Sequence, residues 1–213
     1  MEQVFFINPV AGKRDASAEL VPQIQAAARQ LQLPQPQIVV TQYAGQAREA
    51  AHRYAASGTP AALYACGGDG TLNELVQGAA GSANVAVGCV PCGSGNDYVR
   101  NFGAAGQAPF LDFAAQLQAQ PCRGDLLQTS LGIGIDICAA GLDAQVAYGI
   151  PKFRRLPGCG GTAAYTLSIL QAMLSRFGHK LRVAIDGKEY TGTYMMAAIC
   201  NGGYYGVGYQ AAP

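Results

Sequence analysis

The chain has 213 residues, half of them apolar, which is enough for one large domain or two small ones with a substantial core. Its net charge of +1 and its 13% of charged residues exclude the overall field that would attract nucleic acid or an acidic membrane. The first residues, MEQVFFINPV, have no secretory signal pattern, so the seven cysteines predict a reduced, cytoplasmic setting.

The first 125 residues alternate between strand patterns and helix patterns. Compact apolar runs predict four strands, the first of them buried, and the alanine-rich or periodic segments between them predict helices. The predicted strands are QVFFIN, PQPQIVVTQ, PAALYAC and NVAVGCVP, and the predicted helices are 16–32, 44–57, 71–80, a short one after CGSGND, and 108–120. Strands that alternate with helices predict a parallel sheet with helices on its faces.

Three glycine-rich turns follow predicted strands one, three and four: NPVAG, GGDG and PCGSGND. Because the carboxyl ends of parallel strands meet at one edge of a sheet, the three turns are expected to converge there, where ligands bind in such folds. The phosphate-binding pattern GxxxxGK[ST], the dinucleotide pattern GxGxxG at the start of a helix and the hydrolase pattern GxSxG are all missing. The turns therefore predict an anion site of another kind.

The second turn, in GGDGTLNE, has a purely structural interpretation. Gly67, Gly68 and Gly70 would form the turn, and Thr71 would cap the following helix. Glu74, three residues further on, would complete a capping box with Thr71.

The functional interpretation uses the same geometry. Free amides at a helix start bind phosphate oxygens, but Asp69 then places a negative charge beside them. A cation such as Mg²⁺, which one or two carboxylates and phosphate oxygens commonly hold, would resolve that conflict. The third turn repeats the pattern with the Ser94 hydroxyl and the Asp97 carboxylate, which a helix cap does not explain.

One cysteine pair, Cys89 and Cys92, has the CxxC spacing of metal and redox sites. A zinc site would need a second pair or nearby histidines, and the only histidines are His52 and His179. The pair is therefore interpreted mainly as a strand-end cysteine and a loop cysteine, and His52 as a surface residue.

From residue 125 onward the pattern changes to antiparallel strands. The segment CRGDLLQTSLGIGIDICAAG predicts strands joined by a tight turn, and Asp186-Gly187 predicts a hairpin. The uncharged stretch from Gly158 to Ser175 is predicted to be a helix on the second sheet, because hydroxyl and amide side chains make a membrane span unfavourable. The last residues, GYQAAP, have no capping element, so this second domain is expected to be incomplete here.

Three motifs in this order, INPVAG at 7–12, GGDGTLNE at 67–74 and PCGSGNDYVR at 91–100, resemble the catalytic domain of the diacylglycerol kinase family. That family includes bacterial lipid kinases and sphingosine kinases and is distantly similar to NAD kinases and phosphofructokinases. The resemblance continues through GIGIDICAAGLDAQVA and NGGYYGVGYQAAP. It implies a nucleotide-binding α/β domain over 1–124 and the start of a lipid-binding antiparallel β-sandwich over 125–213.

The resemblance also implies roles for individual residues. Asp69 and Asp97 are expected to be catalytic, and together with Asp125 to reach Mg²⁺ through hydrogen-bonded water. ATP is the expected nucleotide. The residues expected to contact it are Asn8, Pro9, Gly12, Thr41, Gly67, Gly68, Asp69, Gly70, Thr71, Asn73, Glu74 and Ser94. The family's further metal contacts and its general base lie in segments beyond the matched ones, which leaves catalysis by these residues alone open.

The first hypothesis is an ATP- and Mg²⁺-dependent lipid kinase, most simply one that converts diacylglycerol to phosphatidic acid. A nucleotide-binding module without catalysis and an NAD kinase are the alternatives, the latter a poorer fit to PCGSGND. The basic, apolar segment GIPKFRRLPG at 149–158 is predicted to be a loop, either solvated or in contact with an anionic membrane surface. Neither a transmembrane segment nor a nucleic-acid partner is expected, and the oligomeric state is open between monomer and homodimer.

Overall fold

The computed structural model describes residues 1–103, 106–156, 159, 161–174, 178–206, 208–210 and 212. The chain forms two compact units, one of Met1–Asp136 with Asn201–Pro213 and the other of Ile137–Cys200. The predicted boundary between residues 124 and 125 thus lies inside the first unit, to which the end of the chain also returns.

The elements follow one another in the order expected for a parallel sheet and then for antiparallel strands. In chain order they are β1 (Glu2–Ile7), α1 (Ser17–Gln30), β2 (Gln37–Val40), α2 (Gln46–Ser57), β3 (Ala61–Gly67), α3 (Asp69–Ala79), β4 (Val85–Pro91), the 3₁₀ helices Tyr98–Phe102 and Ala108–Leu111, α4 (Phe113–Gln118), β5 (Leu127–Thr129), β6 (Gly132–Gly134), β7 (Ile137–Gly141), α5 (Leu142–Arg154), α6 (Gly161–Leu174), β8 (His179–Ile185), β9 (Lys188–Tyr194), β10 (Met196–Cys200), β11 (Tyr204–Tyr205) and β12 (Tyr209–Gln210).

The first four strands form one parallel sheet in the order β2-β1-β3-β4, which confirms the predicted α/β class. Phe6, for example, lies opposite Val39 of β2 and Ala65 of β3. Strand β3 is buried along its whole length, because it lies between β1 and β4 and both faces of the sheet are covered. This burial on both faces explains why the sequence of β3, AALYAC, is a continuous apolar run.

Alternate residues of β1 enter two separate cores, one on each face of the sheet. Val4 and Phe6 belong to a core shared with α2 and α3, while Phe5 and Ile7 pack with α1 and α4. Phe5 also stacks on Tyr64, with ring centroids 4.3 Å apart. Burial of a side chain of this size contributes roughly 1.5–3 kcal/mol, so the two cores hold the strand ends rigidly.

After residue 124 the strand pairs in the described part of the chain are antiparallel, as predicted: β5 with β6, β7 with β10, β8 with β9, and β11 with β12. The predicted hairpin is present, with Ile185 paired to Lys188. Asp186 and Gly187 between them have φ angles of 48° and 78°. Two successive left-handed residues match the right-handed twist of the strands, which explains the Asp-Gly sequence.

The predicted loop at 149–158 is wrong over its first part, because α5 continues to Arg154; residues 157 and 158 lie outside the described residues. Gly149 and Pro151 locally disfavour a helix, but α6 packs closely on α5. The Ser168 hydroxyl donates a 2.6 Å hydrogen bond to the Val146 carbonyl. A Cβ on Gly149 would overlap the Ser168 hydroxyl, so tertiary contact outweighs local propensity here.

Helix α6 confirms the predicted helix in the uncharged stretch, whose ends at 158, 160 and 175–177 lie outside the described residues. Among the described residues, none of the helices combines the length and the apolar character that crossing a membrane requires.

The single helix predicted over 108–120 is divided in two. A 3₁₀ helix ends at Leu111, and α4 begins at Phe113. Asp112 lies between them in an extended conformation, and its side chain accepts a 3.0 Å hydrogen bond from the Ala115 amide. Asp112 therefore caps α4, and its preference for that role over a helix interior explains the break.

Candidate phosphate-binding site

Three turns meet at the carboxyl edge of the parallel sheet. They are called here the first turn (residues 8–12, after β1), the second turn (67–71, after β3) and the third turn (92–97, after β4). Because β1, β3 and β4 are adjacent, the turns are neighbours, as the sequence predicted.

The second and third turns touch through their backbones. The Gly67 carbonyl accepts hydrogen bonds from the amides of Cys92, at 3.0 Å, and Gly93, at 3.1 Å. A Cβ on Gly93 would lie 2.8 Å from the Gly68 nitrogen and 2.9 Å from Asn96 Oδ1, closer than real Cβ atoms approach other atoms. Glycine is therefore required for this contact.

The first turn is tied to both of the others. The Asn8 side-chain amide donates a 3.1 Å hydrogen bond to the Thr71 hydroxyl of the second turn. Gly12 has a φ of 76°, and a Cβ there would overlap the Cys92 carbonyl oxygen of the third turn. The three turns thus form one continuous surface of backbone.

Other residues expected to contact the nucleotide lie around this surface. Thr41 follows β2 at the same edge, and its amide and hydroxyl donate to the Ile7 carbonyl at 2.8 Å and 3.3 Å. Pro9 is half-buried in the first turn, Ser94 is exposed in the third, and Gly70 is exposed at the start of α3.

Thr71 is not the helix cap that the sequence predicted. Helix α3 begins at Asp69, with Gly68 in the capping position and no side-chain cap, so Thr71 lies inside the first helical turn. It is buried, and its hydroxyl accepts the hydrogen bond from Asn8. The prediction was wrong because the glycines let the helix begin three residues earlier.

Glu74 likewise does not close a capping box. Its Oε1 accepts a 2.9 Å hydrogen bond from the amide of Gly45, the residue that caps α2 with a φ of 91°. Asn73 is half-buried in α3. Glu74 thus joins α3 to the start of α2, a long-range partner that sequence spacing alone could not reveal.

Asp69 and Asp97 are each fixed by backbone amides. Asp69 Oδ1 accepts a 3.1 Å hydrogen bond from the Tyr98 amide, and Asp97 Oδ1 accepts one of 2.6 Å from the Gly208 amide. Arg100 Nε lies 3.4 Å from the same oxygen of Asp97. Asp97 is buried, so its orientation is well defined.

The other oxygens of the two carboxylates converge above Gly95. A Cβ built on Gly95 would lie 3.1 Å from Asp69 Oδ2 and 3.7 Å from Asp97 Oδ2. Two carboxylate oxygens facing one small space beside the glycine-rich turns are a donor set that Mg²⁺ accepts. The residues present therefore fit the expected metal ion.

Sequence reasoning missed a third carboxylate, Asp136, within electrostatic reach of the first two. Burial raises the pKa of the Asp136 carboxyl from 3.8 to about 6, a hydrogen bond from Asn101 opposes the rise, and the charges of Asp69 and Asp97 add to it. Asn101 Nδ2 donates that bond at 3.2 Å. The signal in the sequence was an aspartate in the apolar, alternating run GIGIDI.

The Asp125 side chain, expected in the magnesium network, is exposed at the surface. Its backbone carbonyl accepts a 2.9 Å hydrogen bond from the Asn201 side chain. Across the described residues, no group of three or more His, Cys, Asp or Glu side chains is arranged to hold a metal ion by itself. A role of Asp125 through water stays a prediction.

Cys89 and Cys92 serve the fold. Cys89 lies in β4 and Cys92 in the third turn, and neither forms a disulfide. Burial raises the pKa of Cys89 to about 12 and that of Cys92 to about 11. Because metals and redox partners require the thiolate, both cysteines are poorly suited to such chemistry. His52, as predicted, is exposed.

Comparison with known families agrees with this geometry. Residues 2–129 match the family described as the diacylglycerol kinase catalytic domain, and residues 136–213 match the YegS C-terminal NAD kinase beta sandwich-like domain. The chain therefore belongs to the diacylglycerol kinase catalytic-domain family, a family of lipid kinases.

Individual relatives agree with this assignment. The chain is 30% identical over 157 residues to a Chromohalobacter salexigens protein named "Probable lipid kinase YegS-like", covering 72% of this chain and 49% of the relative. It is 30% identical over 137 residues to the diacylglycerol kinase of Bacillus subtilis, covering 63% of this chain and 44% of that relative. The chain thus spans about half the length of these relatives.

A solved structure shares the fold. A diacylglycerol kinase of Bacillus anthracis superposes with a TM-score of 0.65 at 22% identity, over 95% of this chain and 65% of that one. The match supports an α/β domain followed by a β-sandwich-like domain.

Proposed function

We propose that this chain binds ATP with Mg²⁺ and forms the phosphoryl-transfer part of a lipid kinase, most simply one that converts diacylglycerol to phosphatidic acid. The convergence of Asp69 Oδ2 and Asp97 Oδ2 above Gly95, beside three glycine-rich turns, is the observation on which the proposal rests. Family membership supports the kinase class, and the names of the relatives support the lipid acceptor.

The phosphates of ATP would lie against the second turn and the start of α3. The first amides of a helix have no partner within the helix and carry partial positive charge. Gly67, Gly68 and Gly93 lack side chains, so phosphate oxygens can approach these amides closely. Asn8 would hold the first turn against this surface through Thr71.

Asp69 and Asp97 would hold Mg²⁺, directly or through water. When bound, the ion neutralises the charge that develops on the transferred phosphoryl group. The work of the chain would be to aim the two carboxylates at one point, to which the contacts from the Tyr98 and Gly208 amides and the Arg100 guanidinium contribute. Binding and orientation account for most of the catalysis of phosphoryl transfer.

The lipid would be reached at a membrane surface through α5 and α6. Lys152 and Arg155 are exposed near the end of α5, beside Leu156, which is 49% exposed. On α6, Met173 is 50% and Leu174 is 89% exposed. Apolar side chains next to cations suit an anionic bilayer, where each cation contributes about 1 kcal/mol.

The test is transfer of the labelled γ-phosphate of ATP by the protein expressed from its complete gene. Acceptors would be diacylglycerol, sphingoid bases, phosphatidylglycerol and NAD. Transfer to diacylglycerol is the expected result. ATP binding without transfer to any lipid would instead favour the non-catalytic module, and transfer to NAD alone would favour an NAD kinase.

Asp69→Asn should abolish transfer while the protein stays folded, because an asparagine oxygen can still accept the hydrogen bond from Tyr98. We expect a loss of at least about 100-fold in kcat. Asp112→Asn is the matched control, since Asp112 also accepts a backbone amide bond but lies at the cap of α4. Equal activity of the two variants would remove Asp69 from the mechanism.

A further inference from the structure

A segment distant in sequence contacts the carboxylate-bearing part of the candidate site. The return segment, residues 201–206 with 208, follows β10 and belongs to the first compact unit. Its hydrogen bonds include contacts with three aspartates or with their backbone: Asp97, Asp125 and Asp136.

Asn201 provides the first of these connections. Its side-chain amide donates two hydrogen bonds, to the Asp125 carbonyl at 2.9 Å and to the Ile135 carbonyl at 2.8 Å. Its own amide donates to the Asp136 carbonyl at 2.8 Å, and the Gly202 amide donates to the same oxygen at 3.1 Å. Asn201 therefore fixes the backbone on both sides of the β5–β6 hairpin.

The other end of the return segment reaches the third turn. Gly203 donates a 2.7 Å hydrogen bond to Asn101 Oδ1, and Asn101 Nδ2 donates to Asp136 Oδ1. Gly208 donates its 2.6 Å hydrogen bond to Asp97 Oδ1. The return segment thus contacts one carboxylate directly and a second through Asn101.

We propose that the return segment is a positioning element that sets the geometry of Asp97 and Asp136 relative to Asp69, with Asn201 as its anchoring residue. The proposal rests on the proposed function for its meaning, since the carboxylates are there to orient Mg·ATP. Outer groups that orient metal-binding carboxylates affect affinity strongly, and removal of such a group typically costs about 10- to 100-fold.

Asn201→Asp tests the anchor without a change in side-chain size, because it removes both side-chain N–H donors. The matched control is Asn84→Asp. Asn84 also donates two hydrogen bonds to carbonyls, those of Tyr54 and Thr59, both at 2.9 Å, and it contacts none of the three aspartates. The two variants therefore lose equivalent bonds at different places in the same unit.

Three readouts separate positioning from stability: the melting temperature, the Mg²⁺ dependence of binding of a fluorescent ATP analogue, and amide hydrogen exchange. Both variants should melt at a lower temperature. Only Asn201→Asp should raise the Mg²⁺ concentration for half-maximal binding, by about tenfold, and speed exchange over residues 97–101. Wild-type Mg²⁺ dependence and exchange in a folded Asn201→Asp protein would overturn the proposal.

A second pair of variants covers the case in which Asn201→Asp fails to fold. Gly208 and Gly58 have φ angles of 95° and 71°, so alanine is strained at both positions. A Cβ at 208 would lie 3.0 Å from Arg100 Cζ, whereas nothing lies within 4 Å at 58. Gly208→Ala alone should shift the Mg²⁺ dependence, and identical behaviour of the two would contradict the proposal.

Failure of the proposed function has a different signature. If the wild-type protein binds no ATP analogue at any Mg²⁺ concentration, the nucleotide-binding assignment is wrong. Hydrogen exchange alone then tests whether the return segment is a positioning element. Faster exchange over residues 97–101 in Asn201→Asp, but not in Asn84→Asp, would still establish the return segment as a positioning element. Equal exchange in both would refute it.

Discussion

Gly93 shows how a single residue sets the spacing of the candidate site. Its missing side chain lets the third turn rest on Gly68, so the Gly67 carbonyl can accept two amides from the third turn. The same contact places Asp97 near Asp69. Close backbone contact between the turns therefore requires glycine here, independently of the proposed phosphate binding.

Replacement of Gly93 by alanine should separate the second and third turns. The added Cβ, 2.8 Å from the Gly68 nitrogen, would force a backbone shift that costs about 1–3 kcal/mol of stability and removes Mg-dependent ATP binding. Gly124→Ala is the control, since nothing lies within 4 Å of a Cβ at that exposed position. Urea unfolding and ATP titration measure both effects; undiminished binding in Gly93→Ala would contradict the close contact.

Asp136 should make stability depend on pH in metal-free buffer. Burial raises its pKa to about 6, above the ordinary 3.8, so between these values the folded state holds the proton more tightly than the unfolded state. Stability from this group is therefore present at low pH and declines as pH rises through about 6. Asp136→Asn should remove this contribution to the pH dependence of stability. Above pH 6 the variant should therefore gain stability relative to the wild-type protein.

The measurement is the urea midpoint of wild type and Asp136→Asn at intervals across that pH window. Asparagine can still accept the hydrogen bond from Asn101, so the difference between the two curves isolates the charge. Parallel curves would show that Asp136 ionises as it does in an unfolded chain.

At the scale of elements, the sequence was informative where patterns are local. Compact apolar runs predicted the four parallel strands, and Asp186-Gly187 predicted the hairpin from turn chemistry alone. Two features were not predicted from the sequence. Helix α5 depends on Ser168 of α6, and the partner of Glu74 is Gly45 of another helix. Contacts between residues far apart in sequence outweigh local propensity in both cases.

The difference between local patterns and long-range contacts also explains which carboxylates of the candidate site were predicted. Asp69 and Asp97 were found because each follows a strand in a glycine-rich turn. Asp136 was missed because it lies in an alternating apolar run with no motif of its own. Asp136 is contacted by the return segment through hydrogen bonds between residues far apart in sequence, which leave no local signal.

Helix α6 leaves several of its large apolar residues exposed. Ala164, Ser168 and Ala172 are buried, whereas Met173 and Leu174 are at least half exposed. Small residues allow close packing on α5, and the exposed large ones are the side chains through which the proposed membrane contact would be made.

Met173→Gln with Leu174→Gln should reduce binding to phosphatidylglycerol vesicles at least about tenfold, since each buried side chain contributes roughly 1.5–3 kcal/mol. Leu131→Gln is the control, because Leu131 is 96% exposed on the β5–β6 turn of the first unit. Vesicle sedimentation measures the partition. Equal loss in control and double variant, or no loss in either, would refute α6 as the membrane surface.

At the scale of the whole molecule, the first unit is discontinuous. It consists of Met1–Asp136 and Asn201–Pro213, with Ile137–Cys200 inserted between them as the second unit. The chain leaves the first unit after Asp136 and returns to it at Asn201. The Asn201 amide donates a hydrogen bond to the Asp136 carbonyl at that junction. The first unit can therefore complete its hydrogen bonds only after the second unit has been made.

A chain that ends at Cys200 should accordingly form a weakened first unit. It would lose the hydrogen bonds of Asn201, Gly203 and Gly208 to the carboxylate-bearing segments, each worth about 0.5–1.5 kcal/mol net. We expect a lower urea midpoint and faster hydrogen exchange over residues 97–101, while the amides of β1 and β3 stay protected. A chain that ends at Gln210 is the control: it keeps Asn201, Gly203 and Gly208, loses the hydrogen bond from the Ala212 amide to the Gly203 carbonyl, and should stay much closer to wild type in both measurements. Equal protection in the two shortened chains would show that the sheet edge holds its geometry without the return segment.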